Sequence, residues 1–342
     1  MVILRSLAQS LVYRVPGECE RCPACGSPRL YELDLLALRH AVEGRKMGFV
    51  TGCEGCGLVF TNPQPTPAEL ARLYSPEGDW RLRRTATVPA GEEHHDKPRG
   101  SSWSRMFAPI HNALPVTSPS PGSAVLDFGC GWGKLLDSLQ DSGWSTFGIE
   151  PALDHAFRRH RRLHVVPDVP TFDLIVANHV LEHTPDPLRL LRQFARASKP
   201  GAFLFIHVPR LDTMPIHRDY KYVLKGHVHI TAYTWPCLQT LLALAGWIPV
   251  APPPEETPKG RGRHTRSRLR VVAQRIDGMP PAPPEPAQAA RAAFRGYYAQ
   301  HDNRSMLERM GLYRLAAVRA EARRHRMWRA AKIRAAGAVT KP

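Results

Sequence analysis

A strand pattern that runs into three alternating glycines limits the fold of this chain more than any other feature of its sequence. Residues 124–128 (AVLDF) read as a buried strand, and a helical pattern begins directly after Gly133. Gly129, Gly131 and Gly133 therefore occupy a strand-to-helix turn, where glycine lets the backbone approach a ligand whose charged end faces helix N–H groups. A dinucleotide-binding G-x-G-x-x-G motif needs glycine at position 134, where this chain has Lys134, so the spacing differs from that motif.

Strand and helix patterns then alternate along residues 123–275. This order predicts an α/β fold, with a parallel sheet that carries helices on both faces. We predict strands at 146–150, 173–177 and 202–206, helices at 187–197 and 238–245, and a closing hairpin made by 247–250 and 269–273.

A carboxylate stands at the end of the second predicted strand. Glu150 follows Asp127 by 23 residues in the printed sequence. A carboxylate at this strand end can accept both hydrogen bonds of a ribose diol. The sequence therefore predicts that Glu150 holds the ribose of a nucleoside-containing ligand.

Four of the seven cysteines form two CxxC-Gly motifs, CPACG and CEGCG. Each motif presents two thiolates from a tight turn, and the following glycine frees the backbone to curl around the sulfurs. Four thiolates fill a tetrahedral zinc shell and leave no open position, so we predict a structural zinc in a zinc-ribbon-like module at residues 21–62. The predicted ligands are Cys22, Cys25, Cys53 and Cys56.

The rest of the chain is less regular and strongly basic towards its end. Residues 251–342 hold 20 Lys and Arg and 7 Asp and Glu, a net charge of +13 out of the formal +17 of the whole chain. Such a basic segment is typical of a surface that binds an anionic partner, either a phosphorylated substrate or RNA. It is equally typical of a helical face that is exposed to solvent. The predicted divisions are an N-terminal segment (1–20), the zinc module (21–62), a linker with lid-like helices (63–122), the α/β domain (123–275) and a basic, helical tail (276–342).

Within the linker, Thr66 is the predicted N-cap of a short helix through Leu73. A second helix is predicted at 101–114. Between them, residues 76–100 are charged and turn-rich, which indicates a mobile loop or a lid.

Four motifs in order, DFGCGWG, GIE, FDLIVANHVLEHTPDP and KPGAFLFIHVP, resemble a class I S-adenosylmethionine-dependent methyltransferase. The resemblance covers residues 120–275 and implies a Rossmann-like sheet. The cysteine module followed by LVFTNPQPTPAELARLY resembles the subgroup with an N-terminal zinc-binding domain, whose members often modify sugars, cell-envelope glycans or natural products.

The resemblance also implies which residues bind the donor. Asp127 and the three glycines (Gly129, Gly131 and Gly133) would hold its methionine part, Glu150 its ribose, and Asn178 would lie beside it. The usual acidic loop that contacts adenine is shortened here, and Asp168 is the candidate that stands in for it.

Methyl transfer requires that the acceptor be aligned and, for most acceptors, deprotonated. Imidazoles titrate near neutral pH, so histidines near the carboxyl ends of parallel strands are the candidate bases. Residues 212–222 interrupt the strand and helix pattern and are expected to shape the acceptor pocket. We rank His227 first, because it flanks this segment, then His183 and then Tyr222. Other histidines in the same region are His179, His207 and His229.

Three functions fit these observations. The first is methyl transfer to a small-molecule, glycan or natural-product acceptor. The second is RNA methylation, in which the zinc module and the basic tail bind the phosphate groups of the RNA. The third is S-adenosylmethionine binding without turnover. No apolar run reaches the roughly 20 residues of a membrane helix, and the N-terminus is a poor signal peptide, so we expect a cytoplasmic protein.

Overall fold

The computed structural model describes most of the predicted α/β domain and the cysteine module. The described residues are 17–37, 47–75, 119–151, 160–213, 223–224, 228–250, 268–278, 280 and 285–300. They contain β1 (Leu30–Ala37), β2 (Met47–Cys53), β3 (Val59–Asn62), α1 (Pro67–Leu73), β4 (Ala124–Phe128), α2 (Lys134–Asp141), β5 (Ser145–Ile149), β6 (Arg161–Arg162), β7 (Phe172–Asn178), α3 (Pro187–Ala197), β8 (Ser198–Pro209), β9 (Thr231–Ala232), α4 (Trp235–Leu244), β10 (Trp247–Pro249), β11 (Arg268–Arg275) and α5 (Pro286–Gln300).

The larger sheet has seven strands in the order β10-β11-β8-β7-β4-β5-β6. Strands β8, β7, β4, β5 and β6 run parallel, whereas β10 and β11 form the predicted antiparallel hairpin at one edge. The chain moves outward from β4 to β6 and then returns to β7 on the other side of β4. This reversal makes a crevice at the carboxyl ends of β4 and β7, which is where open α/β sheets bind ligands.

Side chains alternate along the central strands, so each face of the sheet buries a different set of helices. Val125 and Leu174 pack with Leu135 of α2 on one face. Leu126 and Ile175 pack with α3 and α4 on the other face. The prediction of a Rossmann-like α/β sheet with helices on both faces is confirmed.

The smaller sheet joins the cysteine module to the α/β domain. Its order is β1-β2-β3-β9, and β9 belongs to the α/β domain by sequence. The side chains of Leu58 and Phe60 are buried in the same core cluster as those of α3 and α4. The module therefore continues the core of the domain and does not rest on it as a separate unit.

Helix α5 lies within the predicted basic tail, yet it packs against the cysteine module. The Arg291 guanidinium lies 3.8 Å from the centroid of the Tyr31 ring and forms an ion pair with Glu54. A Cβ placed on Gly57 would lie 2.6 Å from the Pro286 carbonyl oxygen, so the backbones are in direct contact there. The predicted basic tail (276–342) therefore includes a helix, α5, that buries an apolar face.

Local signals predicted helix α1 correctly. The Thr66 side chain accepts a hydrogen bond from the Glu69 backbone N–H, and the Glu69 carboxylate accepts one from the Thr66 N–H. The predicted loop at 76–100, the helix at 101–114 and the tail beyond residue 300 lie outside the described residues. Within the residues that are described, no helix combines the length and the apolar character needed to cross a membrane.

Candidate functional site

The three glycines follow β4 at the crevice, and all three have left-handed backbone angles. Their φ values are +76° at Gly129, +53° at Gly131 and +72° at Gly133. A Cβ on Gly129 would also lie 2.9 Å from the Val180 side chain, so the loop after β4 and the loop after β7 touch. Both the backbone angle and the space therefore demand glycine at this position.

Glu150, the residue after β5, stabilises this loop. Its Oε2 accepts a hydrogen bond from the Gly131 N–H at 2.9 Å. The N–H groups of Gly129 and Cys130 both donate to the Ile149 carbonyl oxygen. The structure therefore brings together the glycine loop and the carboxylate predicted to bind ribose.

Asp127 is buried beneath the loop, near the end of β4. Burial, followed by the nearby negative charge of Glu150, raises the pKa of Asp127 to about 8. At neutral pH its carboxyl group is therefore mostly protonated in this structure. A cationic ligand group beside Asp127 would favour the ionised form instead.

Asn178 ends β7, and its side chain is oriented by a neighbouring strand. His207 on β8 lies 2.8 Å away, between its Nδ1 and the Asn178 Oδ1. Burial, with smaller contributions from His179 and the arginines of β11, lowers the pKa of His207 to about 2. A neutral His207 therefore donates its Nδ1–H to Asn178, which fixes the direction in which the Asn178 amide points.

The turn after β7 has a strained residue and a buried carboxylate. His179 has φ +58°, an uncommon conformation for a residue with a side chain, and such strain clusters at functional sites. Its Nδ1 lies 2.7 Å from Oε1 of Glu182, whose side chain is fully buried. Burial alone would raise the pKa of Glu182, but the hydrogen bond from His179 and the neighbouring imidazoles outweigh burial and lower this pKa.

His183 lies in the same turn and joins three parts of the chain. Its Nδ1 is 2.8 Å from the Val228 carbonyl oxygen and 2.9 Å from the Tyr74 hydroxyl oxygen. Its ring packs edge-on against the ring of His229 at 4.9 Å between centroids. Burial, followed by the charges of Glu182 and Glu150, raises the pKa of Tyr74, so this phenol stays protonated.

The segment 228–233 connects this cluster to the cysteine module. The Ile230 N–H donates to the Glu182 carbonyl oxygen, and the Ile230 carbonyl oxygen accepts from the Thr61 N–H of β3. The hydroxyl groups of Thr231 and Tyr233 both donate to the Leu181 carbonyl oxygen. The module thereby supports one wall of the crevice.

The structure corrects the prediction that Asp168 contacts the adenine of the methyl donor. Asp168 pairs with Arg196 near the start of β7, where the Thr171 N–H donates to the Ala197 carbonyl oxygen. The glycine loop lies at the opposite end of β7, which is about 20 Å away for a seven-residue strand. Asp168 therefore lies at the wrong edge of the sheet to contact the adenine of a donor bound at the loop.

Two of the predicted catalytic residues, His227 and Tyr222, lie outside the described residues. The third, His183, lies in the cluster beside the crevice. Sequence reasoning missed Tyr74 and Glu182. The NHVLEH motif could have pointed to Glu182, because a carboxylate directly beside a histidine is a common pairing, whereas nothing in the local sequence marks Tyr74.

The four predicted zinc ligands lie together in the cysteine module. The Cys22 and Cys56 sulfurs are 3.7 Å apart, the Cys25 and Cys53 sulfurs are 3.5 Å apart, and all four lie within 4.8 Å of one another. Sulfurs at about 2.3 Å from one zinc in a tetrahedron would be about 3.8 Å apart, so the cluster fits that metal. The two turns match, since the fifth residue of each, Gly26 or Gly57, donates its N–H to the first cysteine carbonyl at 3.0 Å.

Comparisons with known proteins find similarity to methyltransferases. A family model described as a methyltransferase domain matches residues 97–250. A ubiquinone biosynthesis O-methyltransferase of Aliivibrio fischeri is 31% identical over 123 residues, covering 29% of this chain and 53% of the relative. One of Vibrio parahaemolyticus with the same name is 33% identical over 123 residues, covering 29% and 52%. The chain thus spans about half the length of these curated relatives.

Among solved structures, similarity is found to a Burkholderia thailandensis 1,6-didemethyltoxoflavin-N1-methyltransferase with bound 1,6-didemethyltoxoflavin and S-adenosylhomocysteine. Identity is 18%, the TM-score is 0.42, and the match covers 70% of this chain and 99% of that one. A Mesorhizobium loti S-adenosylmethionine-dependent methyltransferase gives 18% identity and a TM-score of 0.40, covering 52% and 100%.

The matched domain, the strand order and the glycine loop define a class I α/β methyltransferase domain. Residues 97–250 thus contain the methyltransferase domain that the motifs predicted.

Proposed function

We propose that this chain transfers a methyl group from S-adenosylmethionine to a hydroxyl group of a small-molecule, glycan or natural-product acceptor. The observation that carries the proposal is the crevice between β4 and β7. There, a left-handed glycine loop held by the Glu150 carboxylate lies directly beside a buried cluster of imidazole, carboxylate and phenol groups. One side suits the donor and the other suits an acceptor that must lose a proton.

On the donor side, the glycine loop accommodates the methionine part, with Asp127 beneath it for the cationic amino group. Glu150 accepts hydrogen bonds from the ribose hydroxyl groups, and the Asn178 amide, oriented by His207, lies at the adjacent strand end. These roles rest on the residue chemistry at each strand end and on the family resemblance. S-adenosylmethionine supplies an activated methyl group, so the protein mainly aligns the two partners.

On the acceptor side, Tyr74, Glu182, His183 and His229 converge on the same edge of the sheet. The acceptor oxygen gives up its proton and forms a bond to the methyl carbon, while the carbon–sulfur bond of the donor breaks. The names of the curated relatives, which are O-methyltransferases, support oxygen as the acceptor atom. The supporting wall provided by β3 and β9 makes the cysteine module part of the acceptor side.

The cysteine module, in this proposal, holds one structural zinc through Cys22, Cys25, Cys53 and Cys56. A Cys₄ shell leaves no position for a substrate, so this zinc stabilises the module and takes no part in methyl transfer. The basic tail (276–342), in the same proposal, binds an anionic partner through its lysines and arginines and takes no part in the chemistry.

Calorimetric titration with S-adenosylhomocysteine tests the donor site. Glu150→Ala removes a charged hydrogen-bond acceptor, and bonds to charged groups contribute about 1.5–3 kcal/mol, so affinity should fall about 10- to 100-fold. Glu20→Ala is the matched control, because Glu20 is an exposed glutamate just before the cysteine module. Unchanged affinity in Glu150→Ala would remove the carboxylate from the donor site.

Methyl transfer itself is tested with isotopically labelled donor and a panel of phenols, catechols and sugars, read by mass spectrometry. The proposal expects label on an acceptor oxygen. Label found only on carbon or nitrogen would overturn the choice of oxygen. Tight donor binding with no transfer to any hydroxylated acceptor would favour a protein that binds the donor without turnover.

A further inference from the structure

A second group of potential metal ligands lies beside the crevice, separate from the four cysteines. Its members are Glu182, His183 and His229, and one ligand atom from each lies within 4.8 Å of the others. Glu182 is fully buried and His229 is 7% exposed. One carboxylate and two imidazoles form a ligand set that divalent first-row transition metals favour.

The hydrogen bonds of His183 identify which of its nitrogens can bind a metal. Its Nδ1 lies 2.8 Å from the Val228 carbonyl oxygen, and a carbonyl oxygen can only accept. Nδ1 therefore carries a proton, and in the neutral imidazole the lone pair lies on Nε2. Metal-binding histidines commonly donate their other N–H to a backbone carbonyl in this manner.

The lone pair of His183 then faces a negative charge. Its Nε2 is 4.0 Å from Oε1 of Glu182, while the second carboxylate oxygen, Oε2, is buried with no hydrogen-bond partner. A buried carboxylate oxygen without a hydrogen-bond partner is costly, and a cation beside Oε2 of Glu182 would compensate that cost.

We propose that Glu182, His183 and His229 bind a divalent transition-metal cation in addition to the zinc of the cysteine module. Ligands about 2.0–2.2 Å from one ion can lie up to about 4.2 Å apart, so small side-chain rotations bring these three atoms into range. His179 donates from Nδ1 to the Glu182 carboxylate at 2.7 Å and so orients the ligand from behind. Glu182 and His183 thus already have the supporting hydrogen bonds of a metal site.

The position of this cation gives it a role in the proposed reaction, and this part of the inference rests on the proposed function. The cluster follows β7 at the turn that touches Gly129 of the donor loop. An acceptor hydroxyl bound to the cation would have a lowered pKa and would release its proton to solvent before its oxygen bonds to the methyl carbon. His183 would then be a metal ligand and not the general base predicted from the sequence.

Manganese binding to the full chain, with no donor and no acceptor present, tests the site. Mn²⁺ favours oxygen and nitrogen ligands over thiolates, and its free form is counted by electron paramagnetic resonance. We expect one Mn²⁺ bound per chain, with affinity reduced about tenfold or more in Glu182→Gln and in His229→Gln. His164→Ala is the control, because His164 is exposed and lies outside the cluster. The Mn²⁺ affinity of this variant should equal that of the wild type.

Wild-type protein that binds no Mn²⁺ or Zn²⁺ beyond the cysteine site would overturn the proposal, and this result needs no variant. Undiminished Mn²⁺ binding by either variant, with a far-ultraviolet circular dichroism spectrum like that of the wild type, would overturn it as well. The proposed function has different tests, because it is overturned if the protein does not bind S-adenosylhomocysteine or does not transfer a methyl group. Mn²⁺ binding without donor binding would therefore support the metal site and contradict the proposed function.

Discussion

The buried carboxyl group of Asp127 should make the stability of the donor-free protein fall as pH rises. Its pKa is about 8 in the folded chain, because it is buried and near Glu150, against about 3.9 for an unfolded aspartate. Between these two values the folded state holds a proton that the unfolded state has released. Linkage therefore lowers the free energy of unfolding with rising pH, by about 1.4 kcal/mol per pH unit for this single group.

The substitution Asp127→Asn removes this titration and keeps the shape of the side chain. Between about pH 6 and about pH 8, the free energy of unfolding of the wild type should fall by about 2 kcal/mol relative to that of the variant. Urea denaturation of both proteins at several pH values measures this difference directly. Asp277→Asn, at an exposed position, is the control and should follow the wild type.

A difference between wild type and Asp127→Asn that does not change with pH would refute the reasoning, because it would mean that Asp127 ionises normally in the folded state. The same pKa has a consequence for ligand binding. If the cationic amino group of the donor lies beside Asp127, binding at neutral pH should release a proton from it. Calorimetry of S-adenosylhomocysteine binding in buffers with different ionisation enthalpies would detect that proton, and Asp127→Asn should not release it.

Three further predictions concern the loop, the cysteine module and the end of the chain. Gly129→Ala should weaken S-adenosylhomocysteine binding and destabilise the fold by about 1–2 kcal/mol or more in urea denaturation. Alanine is strained at the left-handed backbone angle of this position, and its Cβ would lie 2.9 Å from the Val180 side chain; wild-type behaviour would contradict this. The double variant Cys25→Ser/Cys56→Ser should lose its zinc by mass-spectrometric metal analysis, and full retention would contradict a Cys₄ site. Truncation before Glu285 should lower the urea midpoint relative to truncation after Gln300, because α5 buries Phe294 and Ala290; equal midpoints would argue against the docking of α5.

Features encoded by local sequence were predictable. The glycine loop requires left-handed backbone angles, and the two CxxC-Gly turns repeat one hydrogen-bond pattern, so short motifs carry both. The capping box at Thr66 is equally local. Alternating strand and helix patterns were sufficient to predict the α/β sheet, because buried parallel strands are nearly continuous apolar runs.

Features made by long-range contacts were not predictable. Tyr74 meets His183 across 109 positions of the chain, and α5 returns to the cysteine module through Arg291 and Glu54, 237 positions apart. The error at Asp168 has the same origin. The chain must return from the carboxyl end of β6 to the amino end of β7, so a residue shortly before β7 lies at the edge opposite the donor loop.

Hydrogen–deuterium exchange with and without S-adenosylhomocysteine tests whether the donor binds at the carboxyl ends of β4 and β5. Backbone N–H groups there lie in the glycine loop and beside Glu150. We predict that the ligand slows exchange in peptides covering residues 129–133 and 149–151, and leaves peptides around Asp168 unchanged. Protection around Asp168, or no protection of the glycine loop at a saturating ligand concentration, would contradict donor binding at this site.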